Sequence, residues 1–300
     1  MQNKSIAFIS SPFQLLCLKE FIEEKRIEKI EIIFIQTNSS EIHNKQFFLT
    51  ARYLNLKITK INHLRLRLNY IKYTAKFFLK KVKFLIVGDH FNSHFVFLSI
   101  IIKYKFFFII DDGMSSIVIG EKDILSRSLV SKLYPKNKIY YTIFKNNRLE
   151  NYIINHFNYI KKSINKKIFK DLVIILGSPL VEQKYVSHTD YLIYISNIKA
   201  KFLNKKIIYL PHRFENKNNY SKFDLEIDQT SFGFEIYLAS NKFLPKAIIG
   251  FYSTALVTSR ILLSNALETR IFNYEIEKLN IENEWRLQSS TLEKFNIEKF

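Results

Sequence analysis

The sequence predicts an α/β protein with doubly wound parallel sheets, built as two Rossmann-like domains facing across a cleft. Three observations lead there. Six short apolar runs rich in Ile, Val and Phe punctuate the chain: Ile6–Ile9, Phe84–Val87, Phe106–Ile110, Leu172–Leu176, Ile207–Leu210 and Ala247–Ile249. Continuous runs of this kind read as strands buried on both faces, the condition of a parallel sheet covered by helices. Glycine and proline are scarce, 6 and 5 in 300 residues, and most fall directly after one of these runs, where strands stop and turns begin. Finally, Ser10-Ser11-Pro12 after the first run is echoed by Gly177-Ser178-Pro179 after the fourth, so two halves open alike.

The first strand is Ile6–Ile9. Ser11 then caps a helix that has Pro12 at its first position, where proline's missing N–H is no loss. Leu15, Leu16, Leu18, Phe21 and Ile22 give Phe13–Lys25 helical spacing. Phe84–Val87 runs into Gly88-Asp89-His90, and Phe106–Ile110 into Asp111-Asp112-Gly113. The stretch 153–169 is polar, rich in Asn and Lys and free of Gly and Pro. The domain boundary is placed near residue 168, giving domains 1–168 and 169–300. Ile207–Leu210 ends at Pro211, which cannot donate to a sheet ladder. Ala247–Ile249 leads into Gly250-Phe251-Tyr252-Ser253-Thr254. The remainder, 255–300, reads as mixed helix, with Leu256–Leu267 its clearest part.

Composition narrows the function classes. Hydrophobic residues make up 47% of the chain, enough for a sizeable core and against global disorder. The one cysteine, Cys17, excludes an internal disulfide and a cysteine-built zinc site. The longest apolar runs, Phe95–Ile102 and Phe106–Ile110, are too short to span a bilayer. The chain enters a strand-like run without a cleavable leader pattern, so a reducing, cytoplasmic setting is expected. The formal charge of +19 calls for an anionic partner: nucleic acid, an acidic membrane face or a charged substrate. In Arg65–Lys83, the cations Arg65, Arg67, Lys72, Lys76, Lys80, Lys81 and Lys83 alternate with Leu, Tyr and Phe. That pattern reads either as a basic helix lying on acidic lipid or as a solvated helix face. Basic residues are otherwise dispersed and no zinc-finger or RNP-type sequence is present, which argues against nucleic acid.

Three clusters could carry chemistry. Asp111-Asp112-Gly113 at a strand end suits a general base, a metal ligand or a plain turn; it lacks the Asp-x-Asp spacing that would set two carboxylates on one cation. The second cluster is Pro211-His212-Arg213 with Glu215: His212 and Arg213 place a titratable imidazole beside a permanent cation at the carboxyl end of a strand, where open parallel sheets bind ligands. The plain alternative is a loop histidine. Ser253 and Thr254 open a helix, and hydroxyls with free N–H groups there form either a phosphate site or an ordinary N-cap.

In that order the clusters resemble bacterial sialyltransferases. Asp111-Asp112-Gly113 is similar to their acidic motif, and Pro211-His212-Arg213 sits where they carry a His-Pro-type motif. The resemblance extends to α-2,8-polysialyltransferase-like proteins and glycosyltransferase family 52 through four segments. These are Ile9-Ser10-Ser11-Pro12-Phe13-Gln14-Leu15-Leu16, Gly177-Ser178-Pro179-Leu180-Val181-Glu182, Phe234-Glu235 and Gly250-Phe251-Tyr252-Ser253-Thr254-Ala255-Leu256. The matches run in order from residue 6 to about 256. Arg213 stands where many sialyltransferases have proline, which leaves subfamily and linkage open.

The resemblance implies a GT-B fold with the acceptor on domain 1–168 and the donor, CMP-sialic acid, on domain 169–300. It implies inverting, metal-independent transfer to a hydroxyl of a capsule or lipooligosaccharide glycan, with no cofactor. His212 would protonate or neutralise the departing phosphate near neutral pH. Ser253 and Thr254 would hold its oxygens and Arg213 would add charge. Glu235 would accept from the ribose hydroxyls, and Gly177 would let the backbone approach the nucleotide. The base for the acceptor hydroxyl would be Asp111 or Asp112, or Asp190, which lies 22 residues before His212. Ser10, Pro12, Gln14, Gly88, Asp89, Gly113, Ser178 and Pro179 complete the implied binding set. The implied partners are a CMP-sugar donor, a glycan or glycolipid acceptor and the anionic inner face of the cytoplasmic membrane; a homodimer is compatible. The alternatives are a GT-B enzyme using another nucleotide sugar and a basic nucleic-acid-binding protein.

Overall fold

The computed structural model describes residues 4–36, 41–62, 77–78, 81–88, 93–118, 135, 137–145, 151–164, 168–230, 232–264, 268–276 and 283–300. The chain divides into two compact units, Met1–Tyr159 and Ile160–Phe300.

The first unit runs β1 (Lys4–Ile9), α1 (Pro12–Lys25), β2 (Lys29–Gln36), α2 (Glu41–Tyr53), β3 (Ile58–Asn62), β4 (Lys81–Val87), α3 (Ser93–Ile101), β5 (Lys103–Ile110), a 3-10 turn over Gly113–Val118, β6 (Ile139–Thr142) and β7 (Tyr152–Ile154). Its seven strands lie in the order β3-β2-β1-β4-β5-β6-β7 and pair in parallel. Helix α4 (Asn158–Ile164) leads to the second unit: β8 (Ile168–Leu176), α5 (His188–Lys201), β9 (Lys206–Leu210), α6 (Lys217–Tyr220), β10 (Glu226–Ile227), α7 (Phe234–Ser240), β11 (Phe243–Gly250), α8 (Thr254–Leu262), β12 (Arg270–Asn273), α9 (Asn283–Lys294) and β13 (Glu298–Lys299). This sheet is also parallel, in the order β10-β9-β8-β11-β12-β13.

Each sheet therefore grows outward from its first strand on one side and then returns to build the other. The order reverses between β1 and β4, and again between β8 and β11. At such a reversal the helices leave on opposite faces, so a crevice opens beyond the carboxyl ends of the strands.

The apolar runs do what their composition dictates. Phe8 pairs with Ile33 on one side and Val87 on the other and packs against Phe77 and Phe95 at 6.0 and 6.2 Å between ring centroids. In the second unit Ile175, Tyr209, Ile249 and Phe251 join Tyr191 of α5 in one core. Ser11 caps α1 by accepting from the Gln14 N–H, with Pro12 in the first turn.

The polar stretch 153–169 supplies most of β7, all of α4 and the start of β8. The boundary is expected near residue 168, give or take about ten residues; residue 168 is the first of β8, and the compact units part at Tyr159 and Ile160. The stretch 255–300, read as helix, also contains β12 and β13. Asp89 lies outside the described residues, as does most of Arg65–Lys83, although Lys81 and Lys83 open β4. No helix among the described residues is long and apolar enough to cross a membrane.

Candidate active site

In the second unit, the loops after β8, β9 and β11 share the carboxyl edge of the sheet. Strand order sets the 177–179 loop between the other two. At the end of β9 the chain turns through Pro211-His212-Arg213-Phe214-Glu215. Glu215 folds back beneath its own loop: its Oε2 accepts the His212 N–H at 2.5 Å, and its Oε1 accepts the Tyr209 hydroxyl, also at 2.5 Å. Tyr209 and Tyr191 hydroxyls lie 3.1 Å apart, and the Tyr191 hydroxyl accepts the Ser178 N–H at 3.1 Å. A Cβ at residue 177 would lie 2.1 Å from Glu215 Oε2 and 2.9 Å from the His212 nitrogen. Gly177 is thus required by the chain's own carboxylate, whatever it also allows a ligand.

His212 was expected to carry charge near neutral pH. Burial, with the adjacent Arg213 cation, pushes its imidazole down to about 3, so the ring is neutral at pH 7. Its Nδ1 accepts the Phe214 N–H at 3.3 Å, which leaves the neutral ring's proton on Nε2. The Arg213 guanidinium lies 5.0 Å from the Phe214 ring centroid. Glu235, in the first turn of α7, is buried rather than presented to a ribose. Its Oε1 accepts the Thr258 hydroxyl at 2.8 Å, tying α7 to α8, and burial raises its pKa.

At the end of β11, Tyr252 adopts a left-handed φ of 50° while its N–H bonds Asn273 Oδ1 at 2.7 Å. Ser253 caps α8, accepting the Ala255 N–H at 3.2 Å, and Thr254 is the first helical residue. The cap reading is therefore realised, and the helix N-terminus stands at the same sheet edge as His212. Asp190 is likewise a capping residue. Ser187 caps α5 by accepting the Asp190 N–H at 3.0 Å and donates its hydroxyl to Asp190 Oδ2 at 2.7 Å, so the Asp190 carboxylate holds the capping hydroxyl in place.

In the first unit, the crevice between β1 and β4 is filled by the chain itself. Gln14 is fully buried. Its Oε1 accepts the Ser10 N–H at 2.8 Å and hydroxyl at 3.2 Å; its Nε2 donates to Asp112 Oδ1 at 2.6 Å. Ser11 also donates to that oxygen, at 3.2 Å. A Cβ on Gly88 would lie 2.2 Å from Gln14 Oε1, so Gly88 makes room for Gln14. Gly113 has φ 75°, the left-handed region that glycine tolerates.

The two acids of the pair differ. Asp111 is 3% exposed, and its Oδ2 accepts the Ile143 N–H at 2.5 Å; desolvation raises its pKa to about 7 despite that bond and those with Thr142 and Ser116. Asp112 is half-buried, with its N–H on Ser116 Oγ at 3.0 Å. Asp111 holds the loop, and Asp112 is the carboxylate at its surface. Among the described residues no cluster of His, Cys, Asp and Glu is arranged to hold a metal.

Sequence reasoning placed Asp111, Asp112, His212, Arg213, Ser253 and Thr254 at the carboxyl edges of the sheets. It set Glu215 beside His212 in sequence but gave it no role, and it missed Tyr209 and Tyr191 as its partners. The available signal was a glutamate three residues after a histidine, in a loop following a strand that ends in Tyr-Leu-Pro.

No known family profile matches the chain. Among curated proteins, the ribosomal operon-associated A protein of Euglena longa is 26% identical over 184 residues, covering 59% of this chain and 31% of that protein. The chain thus spans about a third of the length of the curated relative it matches. Among solved structures, the UDP-GlcNAc 2-epimerase of Methanocaldococcus jannaschii aligns with a TM-score of 0.54 at 13% identity, over 90% of this chain and 83% of that one. The GT-B domain of a Photobacterium damselae sialyltransferase gives 0.53 at 10% identity, over 99% of both chains. Acinetobacter baumannii MurG gives 0.51 at 10% identity, over 99% of this chain and 86% of that one. These likenesses, with two parallel Rossmann-like sheets, show the GT-B fold.

Proposed function

We propose that the chain is a glycosyltransferase that moves a sugar from a nucleotide donor, bound at the carboxyl edge of the second sheet, to a glycan hydroxyl. The finer reading is that the donor is CMP-sialic acid. One observation carries the proposal: His212 and Arg213 after β9 and the capped start of α8 after β11 flank the loop at the β8–β11 reversal. Permanent charge, a ring N–H and helix amides then converge on one edge, which suits a phosphate. The GT-B fold and the ordered motif resemblance support the sugar chemistry.

In this reading the acceptor oxygen attacks the anomeric carbon as that carbon's bond to the CMP phosphate oxygen breaks, with inversion. The electron pair leaves on CMP. The empty-site imidazole is neutral, so it first meets the phosphate as a hydrogen-bond donor through Nε2. The phosphate's negative charge favours the protonated ring and offsets burial and Arg213; the second proton sits on Nδ1, so the Phe214 N–H gives up that acceptor. His212 can then deliver a proton as the leaving oxygen gains charge. The acceptor proton goes to a carboxylate; of the pair, Asp111 is buried and Asp112 lies at the surface, so Asp112 is preferred, with Asp190 the alternative. No metal takes part in these steps. Peripheral attachment to an anionic membrane through the chain's basic excess completes the proposal, and sedimentation with anionic vesicles at low and high salt tests it.

A thermal-shift panel of CMP, CDP, UDP and GDP is the direct test, because a ligand that binds the native state raises the melting temperature. A selective response to CMP, with chelator-resistant transfer from CMP-sialic acid, is expected. A response to UDP or GDP alone would replace the donor. No response to any nucleotide, with salt-sensitive binding to random duplex DNA, would remove the enzyme reading.

A further inference from the structure

We infer that Glu215 is a positioning residue for His212: its carboxylate clamps the His212 amide at the end of β9 and, through Tyr209 and Tyr191, ties it to the Ser178 amide at the end of β8. The inference rests on the reading above, in which His212 serves the leaving phosphate.

The geometry is directional. The Ser178 N–H donates to the Tyr191 hydroxyl, and the Tyr209 hydroxyl donates to Glu215 Oε1. The Tyr191–Tyr209 contact can then run only from Tyr191 to Tyr209, because Tyr209 has already given its proton to Glu215. Glu215 Oε2 takes the His212 N–H. With Glu215 ionised each of these hydrogens has an acceptor, and the chain of donors ends on the carboxylate with both oxygens occupied. Protonating Glu215 adds a hydrogen that this arrangement cannot hold without reversing a bond. The two tyrosines are buried at 1% and 0% exposure, so the reversal cannot be repaired by bulk water. Gly177 supplies the space, since any Cβ there would collide with Glu215 Oε2 and Tyr209 Oη. The loops after β8 and β9 are thereby held in one register, and the His212 backbone is fixed by its amide.

The titratable and charged groups facing Glu215 are Tyr209 of β9, Tyr191 of α5, Tyr220 of α6, Glu182 of the loop after β8, and His212 and Arg213 of its own loop. Burial, with Glu182 nearby, raises the carboxyl to about 8. The ionised, fully clamped state therefore gains population as pH rises through that value.

The test uses Glu215→Gln and Tyr209→Phe in the full chain. A carboxamide has one acceptor oxygen, so Glu215→Gln cannot accept from both Tyr209 and the His212 amide as the two carboxylate oxygens do; keeping both contacts would need its NH2 to donate to Tyr209 and the tyrosine pair to reverse. Displacing a reacting group by about 1 Å costs on the order of 10²-fold in rate, so at a pH above Glu215's raised value of about 8, where the carboxylate is ionised, kcat for transfer from CMP-sialic acid should fall by about that factor. The CMP-induced thermal shift should persist. Tyr209→Phe removes one neutral donor and should lower kcat less, on the order of 5-fold. Without any sugar donor, the His212 amide resonance in wild type should titrate with a midpoint near Glu215's raised value, and that titration should vanish in Glu215→Gln.

A folded Glu215→Gln protein whose kcat at that pH stays within about twofold of wild type overturns the clamp, since no transition-state interaction was then lost. So does a His212 amide that titrates unchanged in the variant. If Glu215→Gln does not fold, Tyr209→Phe decides, with unchanged kcat and unchanged amide titration counting against the clamp. Wild type that fails to use CMP-sialic acid, yet shows the amide titration and its loss, removes the donor assignment and leaves the clamp standing.

Discussion

Replacing Gly88 with alanine should be among the most damaging single-methyl changes in the first unit, and removing Gln14 should largely relieve it. A Cβ at residue 88 would lie 2.2 Å from Gln14 Oε1 and 2.5 Å from its Cδ, so the amide must leave. Its departure breaks the 2.6 Å bond to Asp112, a hydrogen bond to a charged group worth about 1.5–3 kcal/mol. It also strands the Ser10 N–H, in a residue 8% exposed, at about 1–3 kcal/mol. Together Gly88→Ala and Gln14→Ala should each destabilise the unit by about 3–5 kcal/mol, a large share of the ~5–15 kcal/mol typical of a domain. In the double variant the alanine methyl stands where the amide was, so the loss should be close to that of Gln14→Ala alone. That implies a coupling between the two sites equal in magnitude to the Gly88→Ala loss, about 3–5 kcal/mol. Urea denaturation of the four proteins measures it, provided m is unchanged, and hydrogen exchange at the Ser10 amide reports the same event locally. If the two single losses simply add in the double variant, Gln14 is not what Gly88 accommodates.

The other predictions concern the candidate site. His212→Ala should lower kcat by about 10²–10⁴-fold while the CMP thermal shift changes little; near-normal turnover would return His212 to an ordinary loop residue. Asp111 has a folded-state pKa raised to about 7 from 3.8, so its native state holds the proton more tightly than the unfolded chain. Its contribution to stability is full below about pH 4 and is lost as pH rises through about 7. Urea midpoints at pH 5 and 8 should therefore differ less in Asp111→Asn, and an unchanged difference would exonerate Asp111. His212 has the opposite sign: its pKa is depressed to about 3, so its contribution is lost as pH falls from the unfolded value of about 6.5. Ser187→Ala should cost about 1 kcal/mol through the cap of α5 and leave transfer rates intact. Asp190→Asn should likewise spare turnover, whereas abolished transfer in that variant would make Asp190 the base in place of Asp112.

The sequence by itself determined the class of fold. Runs such as Phe84–Val87 and Ile207–Leu210 are too apolar for anything but the middle of a covered sheet, and Gly88, Pro211 and Gly250 stop them. Strand burial and backbone conformation are local properties, so local pattern reveals them. The outer strands β10 and β13 each pair over two residues, and Glu226-Ile227 and Glu298-Lys299 carry no apolar run. Such strands are held by main-chain bonds to a neighbour, which composition does not mark. The candidate site divides in the same way. His212, Asp112 and Ser253 were legible because each follows a strand that could be read. The partners of these residues were not. Asp112 is held by Ser11 and Gln14, 101 and 98 positions away, and the His212 loop by Tyr191 and Gly177 through Glu215. The strand orders β1-β4-β5 and β9-β8-β11 bring these residues side by side, and strand order is set by how crossovers pack over the whole sheet. That same packing desolvates Asp111, Glu215 and His212 and so fixes their charge states, since burial is a property of what surrounds a side chain and not of the side chain itself.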